Sequence, residues 1–145
     1  MDYKTITSAN SIFTLVVPGL FPAPVQLMGY STDRAFTSDA VQTAEAQMGV
    51  DGILSAGYTP SPIVQTVTLQ ADSPSRDFFN ILMSAMDTAR EIYWLSGTIS
   101  LPATGESFTM HKGVLVNSKY SPDANKVLQP IDYVITWESV VRSLL

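Results

Sequence analysis

The residue types that could do chemistry are concentrated in one short stretch, TAEAQMGVDGILSAGY, at residues 43–58. It holds two carboxylates, Glu45 and Asp51, and one serine, Ser55, among three glycines. Such residues could form a calcium loop, a serine nucleophile turn, or a bend between two strands. The choice among these decides whether the chain is interpreted as an enzyme or as a structural unit.

The spacing within this stretch fits neither a nucleophile nor a metal site. A nucleophile turn needs Gly-x-Ser-x-Gly, because both glycines permit a cramped strand-to-helix turn, and Ile53 stands where the first glycine is required. A calcium loop needs oxygen ligands at alternate positions, and Gly49 and Ile53, which flank Asp51 at that spacing, offer none. The Asp51-Gly52 step instead favours a tight turn with positive φ. The stretch is therefore predicted to be a β-hairpin.

The remaining candidate residues are isolated from one another in the sequence. His111, the one histidine, lies in a predicted strand beside Lys112, where a surface or interface position is expected. Asp87 and Glu91 stand four apart in a predicted helix and would share one face, which is usually solvated. A hydrolase that uses His111 with either carboxylate stays open as an alternative. We predict no catalytic, cofactor-binding or metal-binding residue and no cofactor.

Charge and cysteine content exclude several kinds of protein. The 145 residues include 8 Lys and Arg against 13 Asp and Glu, a formal net charge of −5, and no two basic residues are adjacent. A nucleic-acid binder needs a basic patch to neutralise phosphates, so specific DNA binding is not expected. The absence of cysteine removes disulfides and thiolate chemistry and fits a cytoplasmic site of synthesis.

The low charge content points to assembly. Charged residues make up 14% of the chain, whereas soluble domains average about 25%. A small domain with so few charges either hides surface against neighbours, which favours self-assembly, or is a compact monomer with an adhesive surface. No signal pattern opens the sequence, and no run reaches the roughly 20 apolar residues that cross a bilayer.

Hydrophobic periodicity predicts strands, then one helix, then further strands, in a single domain over residues 1–145 with antiparallel neighbours. Strands are predicted at residues 12–17, 25–30, 64–70, 93–101, 107–117 and 129–138. The proline-rich PGLFPAP, residues 18–24, is predicted to be an exposed extended loop. A hairpin connection is predicted at residues 102–106, and both Trp94 and Trp137 are expected to pack in the core.

The helix is predicted from about Ser75 to about Tyr93, after an N-cap at Ser73 and Pro74 at its first position. Apolar residues then recur at spacings of three and four, which is typical of an amphipathic helix. The face predicted to meet the core comprises Phe78, Ile81, Leu82, Ala85, Met86, Ala89 and Ile92.

Three phrases, MGVDG, LQADSPS and VLQP…ITWE, resemble a family of small tail proteins of contractile-tailed bacteriophages, often labelled tail or tail-fibre proteins. The resemblance covers roughly residues 36–138. It implies the tail-tube fold, an antiparallel β-sandwich or half-barrel with one helix, in which six copies close a ring. It also implies a virion structural role in the tail tube or in a baseplate-proximal ring, for a protein made in the cytoplasm of the host bacterium.

The partners implied by this resemblance are other copies of the chain and the neighbouring tube, sheath, tape-measure or baseplate hub proteins. DNA would pass through the ring as cargo, and an acidic ring would let its phosphates slide without sticking. The proline-rich segment could reach the next ring or the sheath as an arm. A carbohydrate-binding β-sandwich of the tail, using exposed tryptophans or tyrosines, is the alternative function.

Overall fold

A computed structural model describes residues 11–30 and 35–144. Within these residues the chain forms nine strands and one helix. In chain order the elements are β1 Ile12–Val17, β2 Phe21–Gln26, β3 Phe36–Ser38, β4 Ala44–Met48, β5 Leu54–Tyr58, β6 Ile63–Leu69, α1 Arg76–Ala89, β7 Leu95–Leu101, β8 Glu106–Asn117 and β9 Ile131–Leu144.

Seven strands form one antiparallel sheet in the order β2-β1-β7-β8-β9-β6-β3. The sheet is strongly curled, because Phe13 of β1 and Phe36 of β3 lie near opposite edges and yet their ring centroids are 5.4 Å apart. The predicted antiparallel β-sandwich or half-barrel with one helix is confirmed. The remaining two strands, β4 and β5, pair only with each other.

The concave side of the curled sheet holds the core, and α1 covers part of it. Phe79 of the helix stacks on Tyr133 of β9, with ring centroids 4.2 Å apart and planes 11° apart. Trp137 is fully buried and donates from Nε1 to Gln65 Oε1 at 2.9 Å. The core is thus built from side chains far apart in the sequence.

The helix begins and ends at different residues from those predicted. Ser75, not Ser73, is the N-cap, and Arg90 ends the helix with φ 54°, so Tyr93 lies outside it. At the N-terminus of the helix, the difference arises from a contact with a segment distant in the sequence. The Ser73 hydroxyl donates to the Met28 carbonyl oxygen and accepts from the Ser75 amide, which holds Ser73 in the preceding turn.

The buried face of α1 is also rotated from the predicted one. Phe78 and Leu82 are buried as predicted, but their buried neighbours are Phe79 and Met83. Ile81 is 48% exposed, and Ile92 follows the helix and is exposed. The buried face of the helix is determined by Tyr133, against which Phe79 stacks. The spacing of apolar residues along the helix cannot identify this partner, because Tyr133 lies in a distant strand.

Most strand predictions are confirmed to within a few residues, and the first edge of the sheet is the exception. The strand predicted at residues 25–30 is wrong, because β2 comprises Phe21–Gln26 and Leu27 turns into the core. The predicted extended loop at residues 18–24 is only partly right, because residues 18–20 form a turn with Gly19 at φ +90°, and the mostly exposed residues 21–24 are extended but pair with β1 as an edge strand. The segment is therefore part of the sheet and not a free arm.

Candidate functional site

The β4–β5 hairpin is confirmed at the stretch where the sequence predicts it. Its register runs from Ala44↔Tyr58 to Met48↔Leu54. The turn is closed by Gly49 N donating to Ile53 O at 2.9 Å, and the Asp51 carboxylate accepts from Ile53 N at 3.1 Å. Gly52 has φ +82°. Asp51 is thus a turn-forming residue, engaged with the backbone.

This hairpin is exposed along its whole length. Every residue of β4 and of β5 is exposed, although several carry large apolar side chains. The exposed apolar residues of the hairpin are Met48, Val50, Ile53, Leu54 and Tyr58. A two-stranded hairpin is at best marginally stable on its own in water, and clustered exposed apolar residues mark interaction surfaces. The hairpin therefore has the properties of a surface that another polypeptide covers.

Beside the base of the hairpin, the described residues leave part of the concave side of the sheet open. An open apolar trough of about 350 Å³ lies between β3 and the inward faces of β6 to β9. Its lining residues are Phe36, Ser38, Asp39, Val41, Ile63, Gln65, Ile99, Leu101, Phe108, Met110, Trp137 and Val140. Within the described residues, Asp39 is the one charged member of this lining.

Gln65 is the buried polar side chain in the wall of the trough, whereas the polar Ser38 and Asp39 of the lining are exposed. The residue is 3% exposed, and its Oε1 accepts from Trp137 Nε1. In the described part of the chain its Nε2 donates to no protein atom. The trough therefore offers apolar walls together with the Gln65 amide and the Ser38 hydroxyl as donors for an incoming acceptor.

The convex side of the sheet has a different chemistry. Along β1, β7, β8 and β9 its residues alternate with the buried ones, and cross-strand pairing aligns Thr14, Thr98 and Thr109 in one row. The residues of this hydroxyl face are Thr14, Ser96, Thr98, Ser100, Ser107, Thr109, Ser139 and Ser143, with Ile12, Val16, Val141 and His111 among them. None of these twelve is an acid, a lysine or an arginine, but the exposed Lys112–Glu138 ion pair adjoins them at His111 and Ser139, and Asp132 is exposed further along β9.

The structure does not bring the considered catalytic residues together. His111 is exposed on the hydroxyl face, as expected for a surface histidine. Asp87 and Glu91 border a groove between the end of α1 and β8, but Glu91 lies beyond the helix, so the predicted shared helix face is wrong. Among the described residues, no three His, Asp or Glu side chains cluster as a metal site. No helix in these residues is long and apolar enough to span a membrane.

The two tryptophans have opposite environments. Trp137 is buried, as predicted, but the prediction that Trp94 packs in the core is wrong, since Trp94 is 48% exposed. Trp94 immediately precedes β7, and the next residue, Leu95, takes the inward position. The Lys112 ammonium lies 5.1 Å from the centroid of the Trp94 ring and 3.6 Å from a Glu138 carboxylate oxygen.

Two tyrosines have altered acidity for a structural reason. Burial raises the pKa of Tyr30. Burial also raises the pKa of Tyr133, and the neighbouring Arg76 guanidinium partly opposes that increase. Both rings contribute to the interior of the molecule, where a neutral phenol is favoured over a phenolate. These shifts reflect packing and identify no acid or base at a reactive centre.

Comparison with solved structures shows where the same fold occurs. A chain in the tube-terminating cap of the anti-feeding prophage matches with a TM-score of 0.64 and 14% identity, covering 100% of this chain and 94% of that chain. A chain in the anti-feeding prophage baseplate matches with a TM-score of 0.62 and 9% identity, covering 99% and 97%. A chain in the sheath/tube terminator of the extracellular contractile injection system PVC matches with a TM-score of 0.61 and 9% identity, covering 99% of each chain.

At these identities the likeness shows a shared fold. No curated protein sequence gives a significant match. The family evidence comes from the sequence profile described as tail fiber protein gp32, which matches residues 4–141. Because that match spans nearly the whole chain, this protein belongs to the tail fiber protein gp32 family.

Proposed function

We propose that this chain is a non-enzymatic structural protein of a contractile tail, whose copies form a ring of the tail tube or of its baseplate-proximal end. The observation that carries the proposal is the fully exposed, apolar β4–β5 hairpin. Family membership supports a place in the tail, and the shared fold with chains of caps and baseplates supports an axial position. Its partners are then further copies and the adjacent tail proteins, in a virion assembled in the bacterial cytoplasm.

The edges of the sheet favour the hairpin as the assembly element. β2 forms one edge and carries Pro22 and Pro24, which lack amide hydrogens and cannot donate to an added strand. β3 forms the other edge and has only three residues. Since both edges are poor templates for an added strand, the contacts between copies are expected to involve β4 and β5.

A ring of the tail tube encloses a central channel, and one surface of each copy must line it. We assign the hydroxyl face to the side that meets passing DNA, because it combines hydration with the absence of charged side chains. Such a surface lacks the lysines and arginines that neutralise phosphates, so its hydroxyls can make only weak, neutral hydrogen bonds to DNA. The proposed channel is thus neutral where the twelve residues line it, and this revises the acidic ring that net charge alone favours.

A carbohydrate-binding module of the tail is the second candidate, and exposed Trp94 favours it. An exposed indole gives a flat apolar platform with a polar edge. Lys112, however, already lies over the ring, and Trp137 is buried and so unavailable. A glycan-array signal that Trp94→Ala abolishes, with assembly unchanged, would establish this candidate.

Negative-stain electron microscopy together with the mass in solution tests the proposed function. We expect wild-type protein to form rings with a central hole, and Val50→Asp to remain monomeric because it places a charge at the apolar tip. Thr88→Asp, at an exposed helix position, is the matched control and should still form rings. Unchanged thermal unfolding would show that Val50→Asp folds. A wild-type monomer up to millimolar concentration would contradict the ring.

A further inference from the structure

The open trough and the exposed hairpin tip are complementary in chemistry, and both lie on the same molecule. We propose that the trough of one copy receives the hairpin tip of a neighbouring copy, with Val50 entering the apolar space. A backbone carbonyl of the incoming turn then accepts a hydrogen bond from Gln65 Nε2. The inference rests on the proposed assembly of copies and specifies the contact between them.

Among the described residues, the trough is an open concave surface, and its lining determines what it can bind. Most of its walls are apolar side chains, several of which remain partly exposed although they pack against the core, including Phe36, Ile63 and Phe108. An occupant that covers these walls removes apolar surface from water, which drives association. The trough is therefore suited to a small apolar side chain.

Gln65 narrows the kind of occupant. Its Oε1 is committed to Trp137, so the group left for an incoming molecule is the Nε2 donor. A purely hydrocarbon occupant would leave that donor buried without a partner, which is unfavourable. An apolar side chain next to a peptide carbonyl satisfies both requirements, and a polypeptide turn supplies that combination.

The tip of the hairpin offers this combination. Val50 is wholly exposed at the turn. The turn uses Gly49 O and Ile53 O as acceptors, whereas the carbonyl oxygens of Val50 and Asp51 accept no hydrogen bond from the described residues. The tip thus presents an aliphatic side chain flanked by free acceptors.

The occupant must come from a second copy. The base of the hairpin follows the trough wall, since Val41 and Ile63 line the trough and flank the hairpin in the sequence. Five-residue strands at about 3.4 Å per residue carry the tip roughly 17 Å away from that base. A contact between two different patches of identical molecules is head-to-tail, and such contacts close rings when the rotation permits.

Charge adds a condition on the contact. Asp39 lines the trough and Asp51 adjoins Val50, so docking brings two carboxylates towards each other. Salt screens this repulsion. We therefore expect assembly to strengthen, not weaken, as salt is raised.

Cysteine cross-linking tests the contact directly, because the chain contains no cysteine. In the double variant Val50→Cys/Val41→Cys, mild oxidation should link copies into a ladder of multimers that reductant reverses, because disulfides form only at short Cβ separations. Val50→Cys/Thr88→Cys is the matched control, and it should stop at dimers linked through Val50→Cys alone.

A blocking variant gives an independent measurement. Ser38 is exposed and lines the trough on β3, so Ser38→Trp should fill the trough and abolish the ladder in the double-cysteine background. Its neighbour Thr37 points to the other face of the strand, and Thr37→Trp should leave the ladder intact. Equal melting temperatures of the two variants would show that both fold.

The outcomes separate this contact from the proposed function. Rings in the microscope without the ladder would overturn the tip-in-trough contact and leave the ring standing. A ladder that Ser38→Trp abolishes, formed by protein that gives no rings, would support the contact and contradict the ring. If the protein forms neither rings nor the ladder, both the tip-in-trough contact and the ring are overturned.

Discussion

At the scale of single residues, the closest packing in the sheet depends on a glycine. Gly113 of β8 pairs with the fully buried Trp137 of β9, and a Cβ added at Gly113 would lie 2.3 Å from Cε3 of the Trp137 ring. At Gly57, in the exposed hairpin, an added Cβ would meet nothing within 4 Å. The two positions therefore differ only in what surrounds the new methyl group.

We predict that Gly113→Ala lowers the free energy of unfolding by about 1–3 kcal/mol, as overpacking of a core does. Gly57→Ala should change it by less than about 0.5 kcal/mol, because surface substitutions away from special features have small effects. Chemical denaturation followed by tryptophan fluorescence measures both. Equal stability of the two variants would contradict the close approach of Gly113 to Trp137.

At the scale of elements, the helix is positioned by the residues it buries. Phe79 is fully buried and stacks on Tyr133, whereas Ile81, on the apolar face predicted from spacing, is 48% exposed. Ser73 and Ser75 fix the N-terminal end through hydrogen bonds to the backbone of Met28. The rotation of α1 is thus determined by contacts with distant segments.

Truncating the two helix residues distinguishes the observed face from the predicted one. Phe79→Ala should cost about 3–5 kcal/mol of unfolding free energy, since it removes a buried aromatic ring and leaves a cavity. Ile81→Ala should cost about 1 kcal/mol or less. Thermal and denaturant unfolding of the two proteins provide the comparison. A larger loss for Ile81→Ala would mean that the helix lies with its other side inward.

At the scale of the whole molecule, the proposed ring gives different roles to three surfaces, which are the hairpin, the trough and the hydroxyl face. The first two concern contacts between copies, and the third concerns what passes through the assembly. Because the hydroxyl face has no lysine, arginine or acid among its twelve residues, one introduced charge changes its character.

We predict that rings of Thr98→Lys retain a short DNA duplex in the channel and protect it from nuclease, in a manner that high salt reverses. Wild-type rings should give no protection. Thr88→Lys adds the same charge at an exposed helix position, and its rings should leave DNA open to nuclease. Protection that is equal for the two lysine variants would show that the hydroxyl face does not line the channel.

Several features of this protein follow from local sequence alone. The Asp51-Gly52 turn, the hairpin at residues 102–106 and the presence of one helix depend on residues within a few positions of each other. The failure of the catalytic and calcium spacings is local in the same way, and the structure brings no substitute cluster together among the described residues. The extent of the chain as one domain stays a prediction.

Other features were decided only by the tertiary structure, because they depend on pairs of residues far apart in the chain. Contacts such as Gln65 with Trp137 and Phe13 with Phe36 curl the sheet, leave the trough open and determine that Trp137, not Trp94, is buried. The hairpin could be predicted from its turn, but its separation from the main sheet could not. The alternation of apolar and polar residues predicts that a strand has a buried and an exposed face, but the tertiary structure determines which element covers each face.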